Sequence, residues 1–410
     1  MHNVIVVGGG PGGATAALRL AKAGVSDVLL LDGAHFPRDK TCGSGLSPTA
    51  LALGDELGIG DEIRSRATPV DSVRIVTPTG RSFVLASNAA AVVLLRREFD
   101  HLLVRTALDK GAALEGGVRV RELIREAGRV VGVRTADGRE LRARYVLCAD
   151  GAHSIFSADP RPKRSISTIM GWWDDAEFTP RQIEMVFAKS VAPLYGWLFP
   201  ETDRRVNIGI CIDGQDAAGN KTQRNVREVF REFLEVHFSS KLARATQVGS
   251  FKGHPIVYTT WVGHCTSPGA LYLGEAARVT HNATGEGISQ AMQSGIYAAD
   301  AVADVLAGRV SEEDAWKAYV WKHRKRFTLG FFAGYAVRAA VRGGVLDAMA
   351  MAYDNPTVRR AVVRTLGSAL AGTSVHEVAV RAATPAHASA PELQVPVAER
   401  AMDRAPGDTV

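Results

Sequence analysis

The stretch VIVVGGGPGGATAALRLAKAG, residues 4 to 24, constrains this chain more than any other. Four β-branched residues run directly into a glycine cluster, and the cluster runs directly into an Ala/Leu-rich segment of helical period. Gly8, Gly10 and Gly13 stand in the GxGxxG spacing, and Asp32 ends the next apolar run, DVLLL. Each residue has a physical task in a strand–turn–helix unit that binds a dinucleotide. Gly8 permits the tight turn, Gly10 lets backbone approach a pyrophosphate, and Gly13 lets helix and strand pack closely. The helix N-terminus offers free N–H groups to phosphate oxygens, and Asp32 can accept hydrogen bonds from ribose hydroxyls. A glycine-rich turn without a ligand is the alternative.

The rest of the chain has room for such a unit and more. Its 410 residues are 46% hydrophobic, enough for one large folded unit or two joined domains. No run reaches the about 20 apolar residues of a membrane span. The first strand starts without a basic leader, so no signal peptide is expected. Cys42, Cys148, Cys211 and Cys265 are far apart and form no CxxC or Cys/His spacing, so neither disulfides nor a metal are expected. The net charge of +6 comes from scattered arginines without interleaved aromatics, which argues against nucleic acid. One dense run, KHRKR at 322–326, is either a solvated helix face or a contact with an anionic membrane surface. The expected location is the cytoplasm, with that contact at the inner face of the membrane as the alternative. Oligomeric state is not legible.

Periodicity divides the chain further. Residues 3–7 and 27–31 read as buried strands, 12–23 as a helix, and 33–48 as a polar Gly/Pro loop. Strands are expected near 71–76, 81–85 and 91–95, a helix at REFDHLLVRTALDKG, and short strands from 118 to 149. Residues 160–262 carry strand-like runs with Trp172, Trp173, Phe187, Trp197 and Phe199, and a helix near 221–236. The chain then regains glycine-rich, buried-strand character, followed by helices at about 286–307 and through 311–370. The expected fold is α/β: a Rossmann-type cofactor domain (1–159 with 263–310), an inserted sheet-rich substrate domain (160–262), a helical C-terminal region (311–380) and a disordered Ala/Pro-rich tail (381–410).

Three further features separate a flavin from a nicotinamide cofactor. Arg96 precedes the EFDHLL helix, Asp150 lies in CADGAHS, and LYLGEAARVTHNATGEGISQAMQSG places Gly274 and Glu275 after a buried strand. In that last segment Gly285 and Gly287 open a long helix, whose dipole would stabilise the negative charge of a reduced flavin.

The order of GxGxxG, acid, Arg-x-x-Phe-Asp, Ala-Asp-Gly and Gly-acid-Ala-Ala resembles FAD proteins of the p-hydroxybenzoate hydroxylase fold. Within it the chain most resembles the geranylgeranyl reductase family, through KTCGSGLSP, YGWLFPETDRRVNIGIC and TGEGISQAMQSG. The resemblance covers residues 1 to about 330. It implies FAD contacts from Gly8, Gly10, Pro11, Gly13, Asp32, Arg38, Cys42, Gly43, Gly45, Arg96, Val120, Asp150, Gly274, Glu275, Gly285, Gly287 and Ile288. It also implies an isoprenoid-sized pocket lined by Tyr195, Trp197 and Phe199, which alternation puts on one strand face. At most one of Trp172 and Trp173 can share that face, and Trp172 is the candidate. Three positions depart from the family pattern: Cys211 replaces the last glycine of Gly-x-Gly, Glu275 replaces Asp, and Asn282 stands near an expected proline.

The implied activity is reduction of C=C bonds in an isoprenoid or similar apolar or lipid substrate by hydride from reduced FAD, with NADPH or another electron donor binding transiently. A flavin monooxygenase acting on an aromatic or polyketide-like metabolite, and a non-enzymatic flavin-binding module, are the alternatives. The candidates for proton delivery are Cys42 and His281. For Cys42 the other reading is an apolar contact over the flavin, and for His281 a solvated loop residue. His254 and His264 read as structural.

Overall fold

The computed structural model describes residues 1–156, 164–214 and 224–370. The expected tail at 381–410 and the expected boundary at 159/160 lie outside these. In chain order the first elements are β1 (His2–Val7), α1 (Pro11–Lys22), β2 (Val28–Asp32), β3 (Gly45–Leu46), α2 (Pro48–Leu57), α3 (Gly60–Arg66), β4 (Thr68–Val76) and β5 (Ser82–Val93). There follow α4 (Arg96–Asp109), β6 (Ala113–Gly116), β7 (Val120–Glu126), β8 (Arg129–Thr135), β9 (Glu140–Cys148), β10 (Arg164–Asp174), β11 (Gln182–Val186) and β12 (Gly196–Pro200). The remainder are β13 (Arg205–Asp213), α5 (Val226–Leu242), β14 (Thr246–Tyr258), β15 (Thr266–Ser267), β16 (Ala270–Tyr272), α6 (Ile288–Leu306), α7 (Glu312–Arg342), α8 (Val345–Met351) and α9 (Pro356–Leu370).

The first sheet runs β15-β16-β9-β1-β2-β6, and β7 and β8 extend it from β9. β1 lies between β2 and β9, parallel to both. Its residues Val4, Ile5 and Val6 are wholly buried, as expected of a strand covered on both faces. Helix α1 follows at once and packs on α6. The crossing is so close that a Cβ on Gly295 would lie 2.3 Å from the Gly12 carbonyl oxygen.

The second sheet runs β14-β10-β13-β12-β11-β4-β5-β3. Its make-up differs from the expected division. β4 and β5, read from sequence with the cofactor domain, pair into this sheet: β4 runs parallel to β11. The strands expected at 81–85 and 91–95 are one strand, β5, closed onto β4 through a turn in which Thr77 N–H donates to the Arg81 carbonyl (2.8 Å). Pattern reading sees two apolar segments here; both pair with β4, at Ser82–Ala86 and at Ala91–Val93, across a register shift between Val70 and Ser72. Both sheets belong to one compact unit, Met1–Val378.

Register sorts the aromatic residues of the second sheet. Phe199, Asn207 and Trp172 are cross-strand partners, as are Trp197, Gly209 and Met170. These share one face with Tyr195 and Cys211. Trp173, Leu198, Ile208 and Ile210 take the opposite face and pack on Phe230 and Phe233 of α5. Trp172 and Trp173 therefore point apart, as their adjacency in a strand requires. Among the described residues no helix is long and apolar enough to cross a membrane.

The α5 contact leaves no spare volume at β12. A Cβ on Gly196 would meet the Phe233 ring at 2.1 Å. Gly196→Ala is expected to destabilise the fold by about 1–3 kcal/mol, read as a lower midpoint in denaturant unfolding.

Candidate functional site

The turn after β1 is shaped by two unavoidable contacts. Gly8 adopts a φ of +101°, and a Cβ there would lie 2.4 Å from the Ala149 carbonyl oxygen at the end of β9. A Cβ on Gly13 would lie 1.9 Å from the Gly8 carbonyl oxygen. Gly10 is different. Its missing side chain faces open space, and the nearest groups are guanidinium nitrogens of Arg38 (3.9 Å) and Arg96 (4.0 Å). Gly10 caps α1 without a side-chain hydrogen bond, and Pro11 begins the helix. An open glycine, an uncapped helix start and two cationic heads suit a pyrophosphate. The residues present therefore fit the phosphates of FAD.

Asp32 accepts hydrogen bonds from Gly9 N–H (2.8 Å) and Ala34 N–H (2.9 Å), which hold its carboxylate beside this cradle. Arg38 lies between Asp32 (3.4 Å) and Asp100 (3.1 Å). Arg96 grips Asp100 through two hydrogen bonds of 2.7 and 2.8 Å. Asp100 is thus the buried anion that aims both arginines, and sequence reasoning passed over it as a site residue. Its signal was the i,i+4 spacing from Arg96. Val120 opens β7 and is buried, and Asp150 follows β9 at a short 3-10 turn, Gly151–His153.

The CGSG loop lies on the aromatic wall of the second sheet. A Cβ on Gly43 would meet Trp197 Nε1 at 3.2 Å and Phe199 at 3.3 Å, and one on Gly45 would meet Phe199 at 3.1 Å. The two glycines thus let backbone lie against Trp197 and Phe199. Cys42 is half-buried at the head of the loop, where Ser44 N–H donates to its Sγ (3.3 Å) and the Arg96 charge lies near it. Lys40 stands nearby and donates to His254 Nε2. The His254 Nδ1–H donates to the Pro255 carbonyl (2.6 Å), so Nε2 is the acceptor. Burial, then the Lys40 charge, hold His254 down to about 4. Burial, then the Arg96 charge, push Lys40 below the usual lysine range, against the pull of Glu275 and Cys42. The His153 ring sits 5.4 Å from His254 and is exposed. His254 therefore joins Lys40 near Cys42 as a neutral acceptor, a contact that no local pattern revealed.

The second glycine segment closes the site from the other side. Gly274 N–H donates to Ser294 Oγ on α6 (2.8 Å), and Glu275 accepts from Val257 N–H (3.1 Å). Burial raises Glu275 above the usual carboxyl range. Gly287 precedes Ile288, the first residue of α6, and provides no side-chain cap, so this helix start is also open. Glu286 accepts from Ser47 Oγ and from Ser289 Oγ (2.6 Å), tying the CGSG loop to α6. His281 donates through Nε2 to the Gly330 carbonyl (3.0 Å) and accepts at Nδ1 from Thr284 N–H (3.2 Å) and Thr284 Oγ1 (3.0 Å). Burial holds its pKa down, and these bonds let the ring brace this loop against α7. It is not the solvated residue of the alternative reading.

Tyr195, Trp197 and Phe199 form a continuous wall, with ring centroids 6.4 and 6.2 Å apart in turn. Each polar handle is engaged. Tyr195 donates to the Thr284 carbonyl, and Trp197 Nε1–H donates to Asn207 Oδ1 (2.7 Å). The Trp197 indole lies over Gly209, where a Cβ would come within 2.3 Å of it. Cys211, at the lost glycine, packs in the same cluster, and burial pushes its thiol up to about 12. Val341, Leu346 and Val362 bring the C-terminal helices against the wall. Trp172 donates to Glu201 Oε1 (2.8 Å), and Glu201 is buried. Burial outweighs that hydrogen bond and lifts Glu201 to about 7. Glu201 carried no sequence signal, because an acid after Phe-Pro reads as a turn residue.

Two predictions follow from these contacts. Gly10→Val should fold normally yet lose FAD affinity by about tenfold or more, whereas Gly13→Ala should unfold at lower denaturant; cofactor titration and melts on both variants separate the effects. For Glu201 the folded pKa lies above its ordinary 4.5. The stability it contributes is complete below about pH 4.5 and is lost as pH rises through about 7, a change on the order of 3 kcal/mol. Glu201→Gln should flatten that slope in melts across this range.

Known proteins resemble this chain over most of its length. The family described as FAD binding domain covers residues 1–327. A menaquinone reductase of Mycobacterium tuberculosis is 31% identical over 324 residues, 73% of this chain and 76% of the relative. Digeranylgeranylglycerophospholipid reductase 2 of Methanopyrus kandleri is 29% identical over 380 residues, 88% of this chain and 92% of the relative. The fold is shared with a geranylgeranyl bacteriochlorophyll reductase-like protein of Thermoplasma acidophilum, at a TM-score of 0.72 and 23% identity over 89% of this chain and 99% of that one.

Proposed function

We propose that this chain, which belongs to the geranylgeranyl reductase family of FAD-dependent oxidoreductases, saturates C=C bonds of an isoprenoid or similarly apolar substrate. It is an FAD-dependent enzyme. The observation that carries the proposal is the Tyr195–Trp197–Phe199 wall laid directly against the CGSG loop. All three rings have their polar atoms satisfied or lack them, so they present hydrocarbon to a ligand, as an isoprenoid chain requires. Relatives named for reduction of digeranylgeranylglycerophospholipid and menaquinone support the same class of substrate.

Bound FAD in its reduced form supplies the hydride. The protein's part is to hold the alkene against the wall, exclude water and deliver the proton. Gly8, Gly10, Pro11, Gly13, Asp32, Arg38 and Arg96 hold the phosphate and ribose end, with Val120 and Asp150 beside them. Gly274, Glu275, Gly285, Gly287 and Ile288 shape the second helix start. The Cys42 S–H gives its proton to the carbon that does not receive the hydride. Arg96 and Lys40 stand beside the sulfur, and Lys40 returns the proton. His281 takes no part, since both ring nitrogens are held within the protein. NADPH, or another donor that docks transiently, would be the source of electrons. We read the protein as cytoplasmic, working at a membrane surface where such substrates lie.

The test is anaerobic. The flavoprotein is reduced and mixed with a polyprenyl substrate, and reoxidation without oxygen is the expected outcome. An oxygen adduct, with NADPH oxidation stimulated by an aromatic compound, would instead establish the monooxygenase reading. Cys42→Ser should keep FAD and slow substrate-dependent reoxidation by about a hundredfold. An unchanged rate would reduce Cys42 to a packing contact.

A further inference from the structure

Helix α7 has two apolar faces. The inner one is accounted for: Phe327 and Phe331 enter the core, and Val341 reaches the substrate-side cluster. The outer one is not. Trp321, Lys325, Leu329, Phe332, Ala336 and Ala339 recur at spacings of three and four, and all are exposed. Trp321 is 59% exposed, Leu329 65% and Phe332 60%. Residues 327–337 carry no charge at all. A helix with hydrocarbon on both faces has something on each of them in the working protein.

The charge around this stripe identifies the occupant. Residues 315–346 hold seven lysines and arginines and no acid; Arg338 and Arg342 pair with Asp213 and Lys317 pairs with Glu313, so the charge beside the stripe comes from Lys322, Arg324, Lys325 and Arg326. Lys325 lies over the exposed Trp321 ring (5.0 Å), and Arg324 lies over Trp261 (5.2 Å), itself 46% exposed. Tryptophans beside cations, next to a strip of leucine, phenylalanine and alanine, match the headgroup zone of an anionic bilayer. A second copy docked on the same face would oppose base to base, with no acid on this segment to compensate. We infer that the outer face of α7 lies on an anionic lipid surface, with Leu329 and Phe332 in the acyl boundary and Lys325 at the phosphates.

This inference deepens the proposed function and rests on it for its purpose. The inner side of the same helix holds the loop at 281–284 through the Gly330 and Phe331 carbonyls, and that loop anchors Tyr195. Bilayer and aromatic wall would then stand on the two sides of one helix about 10 Å thick. An apolar substrate could pass between them with little exposure to water.

The test uses the full-length FAD-loaded protein and two vesicle preparations, one of mixed phosphatidylglycerol and phosphatidylcholine and one of phosphatidylcholine alone. Co-sedimentation with the anionic vesicles is expected, with a blue shift of tryptophan emission. Leu329→Ser and Phe332→Ser should each weaken binding about tenfold, and Lys325→Gln about fivefold. Reduction of a short, water-soluble alkene should be unchanged in the serine variants, whereas turnover of a vesicle-borne substrate should fall. Vesicle binding is read without turnover, so failure of the reductase reading would leave it standing. Absence of binding to anionic vesicles would overturn the inference, as would binding that survives all three substitutions. A dimer that the serine variants turn into a monomer would assign the face to self-association instead.

Discussion

The close approach of α1 to the end of β1 governs the rest of the molecule. A Cβ on Gly13 would stand 1.9 Å from the Gly8 carbonyl oxygen, so the helix can start where it does only because that atom is missing. From this start α1 crosses α6 at Gly12 and Gly295, again backbone against backbone. Both helices begin without a side-chain cap, α1 at Gly10 and α6 at Gly287. The arginines carried on Asp100 lie beside the α1 start, where the helix dipole favours negative charge.

The buried Arg96–Asp100 pair shows how stability and function are coupled in this field. Asp100 is wholly buried and would be costly without partners. Its two arginines satisfy it, and the geometry it imposes turns Arg96 toward both Gly10 and Cys42. One ion pair thus links the start of α1 to the Cys42 thiol.

The second sheet meets this framework with its aromatic face. Its other face is closed by Phe230 and Phe233 of α5, which leaves the Tyr195–Trp197–Phe199 wall to face the CGSG loop. The C-terminal helices finish the enclosure: Tyr353 packs on Phe83 at 4.7 Å, and Asp347 accepts from Thr79 N–H at 3.2 Å. Apolar surface is gathered where a substrate chain would lie, and charge is gathered where phosphates would lie.

Much of this was legible in the chain as written. The strand–glycine–helix opening, the acid at Asp32, the alternation of Tyr195, Trp197 and Phe199, and the opposed faces of Trp172 and Trp173 all follow from local period and backbone sterics. These are properties of neighbours in sequence. Other features needed the tertiary structure, because they join residues that no local pattern connects. Lys40 meets His254 from 214 positions away, and Ser47 meets Glu286 from 239. β4 and β5 read as part of the cofactor region, whereas the pairing of β4 with β11 and of β5 with β4 places both in the second sheet. The raised acid at Glu201, the engaged ring of His281 and the uncovered outer face of α7 likewise depend on burial. Burial is a sum over contacts from the whole chain, and that sum exists only once the chain has folded.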